Sequence, residues 1–417
     1  MEKALEAARK LIPRRLFKLA QPAYHWGWAM LGKVWYEPSY RNLKIIGVTG
    51  TKGKTSVSEL VFAGLIGAGK RAGLANGLRF VRDGISLGRS AGSMPGRATL
   101  PRFLAQAAKD GCEFAVVEMT SEGAAQFRHL PIPLDVCVVT NFAPEHIESH
   151  GSLEAYREAK FRIVRQLKRG RTLVLDGDCA MLEPFAAEGA KIGARVISLK
   201  LEGSGATWND EGATVPLGGA TAKTILPGAF GAKNVLLAAE ACRALGVAEA
   251  GIAAGITALE KIPGRAERVV AGQPFLVVVD YAHTPDSLAA LLDAYEGHRR
   301  ICVTGSAGGG RDKWKRPEIG RVAAEKAEIV IVTDEDPFDD DPAQIAAEVA
   351  SGANGKAEII LDRRAAIVRA LSLAKPGDAV ILAGKGAEQG TPRKGKVEPW
   401  DEVTVAREEL AKLGFKD

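Results

Sequence analysis

The sequence has no uninterrupted apolar run of about 18 residues, the length that a helix needs to cross a bilayer. It also lacks an N-terminal apolar stretch with a small-residue cleavage site, so we expect a cytoplasmic protein. Cysteine is scarce, and the five cysteines include no C-x-x-C pair of the kind that zinc or dithiol redox sites use. We therefore interpret them as reduced core residues.

Positive charge is concentrated at one end of the chain. The net charge is +6, and residues 1–43 alone hold eight basic against three acidic residues. The same segment contains Trp26, Trp28 and Trp35, which are half of the six tryptophans. Basic residues mixed with tryptophan and tyrosine are typical of a helix that lies at a membrane surface, or that docks a partner. The alternative is a helical hairpin that packs on the central domain. Because the basic excess is confined to this segment, we expect no nucleic-acid partner.

From Lys44 onward, short β-branched runs alternate with Ala/Leu/Glu/Lys-rich stretches, which predicts parallel strands joined by helices. The same rhythm starts again after residue 271. The predicted fold is therefore α/β, with a P-loop NTPase-like parallel-sheet domain at 44–271, a Rossmann-like domain at 272–417, and a short helical segment at 1–43. Residues 200–227 are expected to form strands and turns on the edge of the first α/β unit.

A phosphate-binding loop follows the first strand. A strand that enters a Gly-rich loop and then a helix turns backbone N–H groups and the helix N-terminus toward phosphate oxygens. Lys54 would neutralise the β- and γ-phosphates of ATP, and Thr55 would offer its hydroxyl to Mg²⁺. A glycine turn that merely caps a helix is the alternative. The predicted loop residues are Gly50, Thr51, Lys52, Gly53, Lys54, Thr55 and Ser56.

Two more residues are candidates for metal binding. Glu118 ends the apolar strand FAVVE, and open α/β sheets gather ligand-binding groups at such strand ends. His146 follows the next strand, and by itself it is equally consistent with a ligand and with a capping or surface histidine. Lys160 lies on the helix that comes next, and the sequence alone is consistent with an ordinary exposed lysine there.

Several motifs occur in one order along the chain, and together they resemble the Mur ligase family. They are GTKGKTS (50–56), EMTSEG (118–123), TNFAPEHIESHG (140–151), EAYREAK (154–160), KIPGRAERV (261–269), DYAHTPDSL (280–288), GGGRDKWKRP (308–317) and GKGAEQG (384–390). The resemblance is nearest to the MurE branch, which adds the third amino acid of the peptidoglycan stem peptide. It implies a monomeric, ATP-dependent ligase for small molecules that joins an amino acid to a muramoyl peptide through an acyl-phosphate.

The resemblance also implies roles for individual residues. Thr55 and Glu118 would hold one Mg²⁺, while His146 and Lys160 would mark a second, with Lys160 carbamylated by CO₂. On the nucleotide side the implied residues are Asn234 at adenine, Arg265 near the nucleotide and Asp280 at the ribose. The implied amino-acid-binding residues are Arg311, Asp336, Lys385 and Glu388.

The chain departs from the family pattern at three points. The segment before Lys44 is shorter than the domain with which such ligases hold UDP. Phe338 occupies the place of the arginine in the D-N-P-R motif of diaminopimelate-adding enzymes, so a second carboxylate would lack its expected partner. The acidic run Asp339, Asp340 and Asp341 would favour a cationic amino acid such as lysine, and a solvated loop is the alternative. Ala387 replaces the histidine of K-G-H-E.

These departures leave the substrates open. The alternatives are a lipid-linked acceptor and a non-muramoyl carboxylate such as a polyglutamate or cyanophycin-like chain. A nucleotide-dependent binding protein that has lost catalysis is the alternative of another class.

Overall fold

The computed structural model describes residues 14–89, 92–96 and 98–416. These residues form two compact units. The first contains the described residues up to Ala143 together with Glu154–Leu199 and Leu237–Ile252. The second contains Pro144–Leu153, Lys200–Leu236 and the described residues from Ala253 onward.

The strands, in chain order, are β1 (Lys44–Thr49), β2 (Ala72–Ala75), β3 (Arg79–Arg82), β4 (Ile85–Arg89), β5 (Phe114–Glu118), β6 (Leu134–Val139), β7 (Leu167–Asp176), β8 (Arg195–Leu199), β9 (Thr207–Trp208), β10 (Ala213–Leu217), β11 (Ala220–Thr224), β12 (Glu267–Arg268), β13 (Leu276–Asp280), β14 (Arg300–Thr304), β15 (Ile329–Val332), β16 (Ala357–Ile359), β17 (Ala379–Ala383), β18 (Gly390–Arg393) and β19 (Lys396–Pro399).

The α-helices are α1 (Arg14–Tyr40), α2 (Lys54–Gly67), α3 (Thr99–Lys109), α4 (Ser121–Ala125), α5 (Ile147–His150), α6 (Leu153–Val164), α7 (Glu183–Lys191), α8 (Gly228–Arg243), α9 (Glu249–Thr257), α10 (Pro285–Asp293), α11 (Lys315–Lys326), α12 (Pro342–Ser351), α13 (Arg363–Leu373) and α14 (Glu402–Lys412), and a 3₁₀ turn spans Ala180–Leu182. None of the described helices is long and apolar enough to cross a membrane.

The first unit is built on an eight-stranded sheet of order β4-β3-β2-β5-β1-β6-β7-β8. Strands β2, β5, β1, β6, β7 and β8 are parallel, and β3 and β4 extend the sheet antiparallel. The central strands of this sheet are continuous apolar runs, as expected for strands that are covered on both faces of the sheet. Register pairs Val48 with Glu118 and Thr49 with Val139, so three strands end side by side next to the predicted phosphate loop.

Helix α1 packs on the first unit through one side. A Cβ built on Gly32 would lie 3.0 Å from the Cβ of Ala98, so the helix approaches α3 closely at this point. The Tyr40 hydroxyl donates a 2.5 Å hydrogen bond to the Pro131 carbonyl oxygen. The predicted helical N-terminal segment is therefore confirmed over residues 14–40 as one helix, and the predicted basic residues at positions 3, 9 and 10 lie outside the described residues.

The second unit contains a six-stranded sheet of order β12-β13-β17-β14-β15-β16, parallel except for β12. Apolar clusters cover both of its faces. The predicted α/β class with two parallel sheets is thus confirmed, while the predicted domain boundaries stay predictions. The strands predicted in residues 200–227 are present as β9, β10 and β11. The expectation that they lie on the edge of the first unit was wrong, because among the described strands they pair only with one another, in a separate antiparallel sheet of the second unit.

Candidate functional site

The loop between β1 and α2 has the backbone shape that phosphate binding needs. Gly50 has a φ of 142° and Gly53 a φ of 78°, and a Cβ on Gly50 would lie 2.0 Å from the Thr140 hydroxyl oxygen. Only glycine fits there. The Lys54 ammonium donates hydrogen bonds to two carbonyl oxygens of the loop, those of Gly50 at 3.1 Å and Thr51 at 2.8 Å.

The residues after β6 hold this loop in place. The Asn141 side-chain oxygen accepts hydrogen bonds from the backbone N–H groups of Thr51 at 3.1 Å and Lys52 at 2.8 Å. The Thr51 hydroxyl lies 3.0 Å from the Tyr156 hydroxyl. The sequence did not identify Asn141 or Tyr156 as supports of the loop, because these contacts join positions about 90 residues or more apart.

A carboxylate lies beside the phosphate loop. The Thr55 hydroxyl donates to Glu118 Oε2 at 2.9 Å, and the same oxygen accepts from the Gly77 N–H at 2.9 Å. Ser93 donates to the other carboxylate oxygen, Oε1, at 2.9 Å. Glu118 is buried, and hydroxyl and carboxylate oxygens are the ligands that Mg²⁺ prefers. Thr55, Ser56 and Glu118 thus fit the predicted magnesium and nucleotide site, with Ser56 buried in the first turn of α2.

Lys160 reaches the same loop from α6. It is 1% exposed, and its ammonium donates to the Gly50 carbonyl oxygen at 2.7 Å. The ammonium also lies 4.8 Å from the centre of the Tyr156 ring. The reading of Lys160 as an ordinary exposed lysine is therefore wrong, because the side chain is buried against the phosphate loop.

His146 is found in the second unit, whereas Lys160 belongs to the first. His146 has a φ of 57° and precedes α5, and its Nε2 lies 3.7 Å from Glu145 Oε2. The other oxygen of Glu145 lies 3.3 Å from His283 Nε2, and His283 Nδ1 lies 2.7 Å from the Tyr281 carbonyl oxygen. Within the described residues, no three His, Cys, Asp or Glu side chains form a group that could hold a metal.

A small cavity of the first unit was not predicted from the sequence. It is lined by α1 and by the segments around Gly96 and Gln126, and it includes His25, Trp28 and Arg128. The Arg128 guanidinium donates to the Met94 carbonyl oxygen and to the Gln126 side-chain oxygen. Burial, followed by the charge of Arg128, lowers the pKa of His25. The cavity thus holds a guanidinium beside an imidazole whose protonation is disfavoured.

In the second unit, the predicted nucleotide residues Arg265 and Asp280 lie on neighbouring segments. Asp280 Oδ2 accepts a 2.7 Å hydrogen bond from the Ala266 N–H. The Arg265 guanidinium lies 4.7 Å from the centre of the Tyr281 ring and donates to the Gly264 carbonyl oxygen. Asn234 is buried on α8 in the same unit.

Three of the predicted amino-acid-binding residues form one cluster. The fully buried Lys385 ammonium lies 2.6 Å from Asp336 Oδ1 and 3.1 Å from Glu388 Oε2. It also donates to the Gly390 carbonyl oxygen at 2.8 Å. The Tyr281 hydroxyl donates to Glu388 Oε1 at 3.0 Å, which joins this cluster to the Arg265 segment. Burial, followed by the Asp336 charge, raises the pKa of Glu388.

The fourth predicted residue, Arg311, is exposed and lies over an aromatic ring. Its guanidinium carbon is 5.8 Å from the centre of the Phe338 ring. Glu335 follows β15 in the chain and was not predicted as a site residue. Among the described residues its Oε2 has no hydrogen-bond partner, and burial raises the pKa of Glu335 to about 7.

Comparison with known proteins identifies the family. Residues 48–242 match the Mur ligase middle domain, and residues 264–386 match the Mur ligase glutamate ligase domain. A UDP-N-acetylmuramoyl-L-alanyl-D-glutamate--2,6-diaminopimelate ligase of Geobacillus kaustophilus is 33% identical over 407 residues, covering 93% of this chain and 82% of the relative. The chain belongs to the Mur ligase family. The predicted family is therefore confirmed.

Further relatives point in the same direction. The Caulobacter vibrioides enzyme of the same name is 37% identical, covering 88% of this chain and 79% of the relative. A UDP-N-acetylmuramyl-tripeptide synthetase of Roseiflexus is 34% identical, with coverage of 93% and 82%. This Mur ligase is thus an ATP-dependent enzyme that forms amide bonds between small molecules, as predicted.

Solved structures confirm the fold. A structure of a diaminopimelate ligase of the same name aligns with a TM-score of 0.60 at 28% identity, covering 90% of this chain and 79% of that chain. A folylpolyglutamate synthase of Mycobacterium tuberculosis gives a TM-score of 0.71 at 19% identity, with coverage of 94% and 95%. The latter likeness concerns the fold alone. The roles of the individual site residues stay predictions.

Proposed function

We propose that this Mur ligase adds an amino acid to the carboxylate of a muramoyl peptide in peptidoglycan synthesis, and that it works in the cytoplasm as a monomer. The observation that carries the catalytic part is the buried Glu118 carboxylate, which lies 2.9 Å from the Thr55 hydroxyl at the start of the phosphate-loop helix. The muramoyl acceptor is supported by the names of relatives that are 33–37% identical over most of the chain.

The chain's own groups are suited to bring two anions together. The α2 N-terminus and Lys54 would hold the β- and γ-phosphates of ATP, so that the acceptor carboxylate can attack the γ-phosphorus. Mg²⁺, held by Thr55 and Glu118, would supply a Lewis acid that neutralises charge on the phosphate oxygens. The acyl-phosphate formed is then attacked by the amine, and phosphate leaves.

Arg128 is a candidate for attracting the acceptor. Its guanidinium donates to Met94, and the preceding residue in this segment, Ser93, donates to Glu118. The cavity beside Arg128 therefore lies on the segment that also supports the proposed magnesium ligand. A cation in this position would favour an anionic acceptor over a neutral one.

We infer that Lys160 is carbamylated in the active enzyme. Its amine is buried at the Gly50 carbonyl, where a carbamate would replace a cation by an anion next to the proposed metal and phosphate groups. Protein equilibrated with ¹³C-labelled bicarbonate should give a carbamate carbon signal by NMR that is lost in Lys160→Arg and kept in Lys168→Arg. A signal that survives Lys160→Arg would contradict the assignment.

The cluster of Asp336, Lys385 and Glu388 is proposed to bind the incoming amino acid. Its acidic groups would hold the amine, while Arg311 supplies one cation for a carboxylate. Arg311 lies exposed over the Phe338 ring, and Phe338 adds no second cation, so a distal carboxylate would lack a charged partner at this position. We therefore expect lysine to be used in preference to diaminopimelate.

The choice of amino acid can be tested by substitution at one position. Phe338→Arg should raise kcat/KM for diaminopimelate relative to lysine by about tenfold or more, because a charge-assisted hydrogen bond is gained. Phe338→Leu serves as the control, and it should leave the ratio unchanged. An unchanged ratio in Phe338→Arg would place the distal end of the amino acid elsewhere.

The identity of the acceptor is tested by measuring ADP release together with the mass of the product. UDP-muramoyl-dipeptide, a lipid-linked muramoyl peptide and a pteroyl-glutamate are each offered with ATP, Mg²⁺ and an amino-acid panel. A new amide mass with either muramoyl acceptor supports the proposal, and the carrier distinguishes the soluble from the lipid-linked substrate. Amide formation only on the glutamate acceptor would overturn it. Nucleotide binding without product from any acceptor would favour the binding-protein alternative.

We also propose that the segment 1–43 contacts the membrane surface peripherally. The described part of this segment, α1, carries exposed aromatic and aliphatic side chains.

A further inference from the structure

One face of α1 exposes large apolar side chains to solvent. Val34 is 73% exposed and Trp35 is 77% exposed, and Tyr24 and Leu31 are exposed on the same side. At 100° per residue, these four positions fall within one third of the helix circumference. We call Tyr24, Leu31, Val34 and Trp35 the outer stripe.

The residues of α1 that pack lie away from the stripe, although Trp26, also on that side, is 51% exposed. Ala29 and Tyr40 are buried, and Gly32 approaches α3. A Cβ added to Gly27, which lies between stripe positions, would have no atom within 4 Å. The outer stripe is therefore not a poorly packed piece of the core, because the helix already uses a different face for that purpose.

The net positive charge of residues 1–43 indicates which kind of surface the outer stripe would bind. Residues 1–43 hold eight basic against three acidic residues, so this segment carries an excess of five positive charges. Two copies of the chain that met through the stripe would bring two such segments together and repel each other. An anionic surface would neutralise them, and tryptophan and tyrosine are the residues enriched at the headgroup level of bilayers.

We propose that the outer stripe of α1 inserts into the headgroup region of an anionic phospholipid bilayer and holds the ligase at the membrane surface. This inference deepens the proposed membrane contact by naming the face that makes it. His25 and Trp28 of the same helix line the cavity that holds Arg128. Docking would thus bring the proposed acceptor-binding region next to the lipid surface.

The test is sedimentation of the full-length chain with large unilamellar vesicles. Phosphatidylcholine vesicles are compared with vesicles that contain phosphatidylglycerol, at low and high salt. The wild type should bind the anionic vesicles and lose affinity as salt rises. Val34→Ser/Trp35→Ser should lower the partition coefficient by roughly tenfold or more for each apolar side chain removed.

A matched control changes the same residue types elsewhere. Val397 is 70% exposed and Trp208 is 45% exposed, and both lie in the second unit. Val397→Ser/Trp208→Ser should bind vesicles as the wild type does. The proposal is overturned if the wild type ignores anionic vesicles, if the control binds as weakly as the stripe variant, or if the stripe variant converts a dimer into a monomer in vesicle-free solution.

Ligase activity separates this inference from the proposed function. The stripe variant should keep its kcat with a water-soluble acceptor, because none of its substituted residues contacts the phosphate loop. Lost vesicle binding with retained soluble activity is the expected result for the variant. A wild type that is an active ligase but never binds vesicles would refute the docking surface and leave the proposed chemistry standing.

Discussion

Replacing Glu335 by glutamine changes one buried carboxyl group whose ionisation the fold opposes. The side chain is 5% exposed, and its Oε2 lacks a hydrogen-bond partner among the described residues. Burial raises the pKa of Glu335 from its ordinary value of 4.5 to about 7, although the nearby Arg363 acts in the opposite direction. The folded state therefore holds this proton more tightly than the unfolded state does.

The sign and the size of the effect follow from this difference. The contribution of Glu335 to stability is fully present below its unfolded-state pKa and is lost as the pH rises through about 7. The rise of the pKa from 4.5 to about 7 corresponds to about 3 kcal/mol when the titration is complete. Glutamine has nearly the same shape and does not ionise, so Glu335→Gln should be spared this loss.

The assay is urea unfolding of the wild type and Glu335→Gln at a series of pH values. Between about pH 5 and about pH 9, the free energy of unfolding of the variant should rise relative to the wild type by about 2–3 kcal/mol, with most of the change complete near pH 7. The exposed Glu296→Gln is the control, and its difference from the wild type should stay flat. A flat difference for Glu335→Gln as well would refute the reasoning.

Three other substitutions test separate parts of the account. Glu118→Gln should lower kcat by about 100-fold because it weakens the proposed Mg²⁺ ligand, and an unchanged kcat with the same Mg²⁺ dependence would exclude that role. Arg363→Ala should lower the free energy of unfolding in urea by about 3–5 kcal/mol, because it leaves the Glu402 carboxylate buried without its cation. A decrease below about 1 kcal/mol would show that water reaches Glu402. Tyr281→Phe removes the hydrogen bond to Glu388, so it should raise the KM for the amino acid by about tenfold and leave ATP binding unchanged. An increase in the KM for ATP alone would place Tyr281 at the nucleotide.

The phosphate loop and the α/β class could be predicted because their signals are local. Strand, glycine loop and helix follow one another at 44–67, and alternation of apolar runs with helical stretches marks the parallel sheets. The structure brings Asp336, Lys385 and Glu388 together, and only the family resemblance linked these residues, which lie up to about 50 positions apart, so their role in binding the amino acid stays a prediction.

The remaining features depend on tertiary contacts that no local pattern encodes. Asn141 supports the phosphate loop across about 90 residues, and Arg128 gains its cavity only when α1 packs beside it. The strands in 200–227 were predicted, but their separate sheet was not, because pairing partners of short strands are set by the whole fold. Glu335 looks like any acidic loop residue until its burial is known.

The most direct test of the central claim follows oxygen from the acceptor into phosphate. UDP-muramoyl-dipeptide labelled with ¹⁸O in its terminal carboxylate is incubated with the full-length chain, ATP, Mg²⁺ and lysine. We expect a tripeptide product and one ¹⁸O atom in each inorganic phosphate released, because the carboxylate oxygen that attacks the γ-phosphorus leaves with it. Unlabelled phosphate, or ATP hydrolysis without an amide product, would contradict amide formation through an acyl-phosphate.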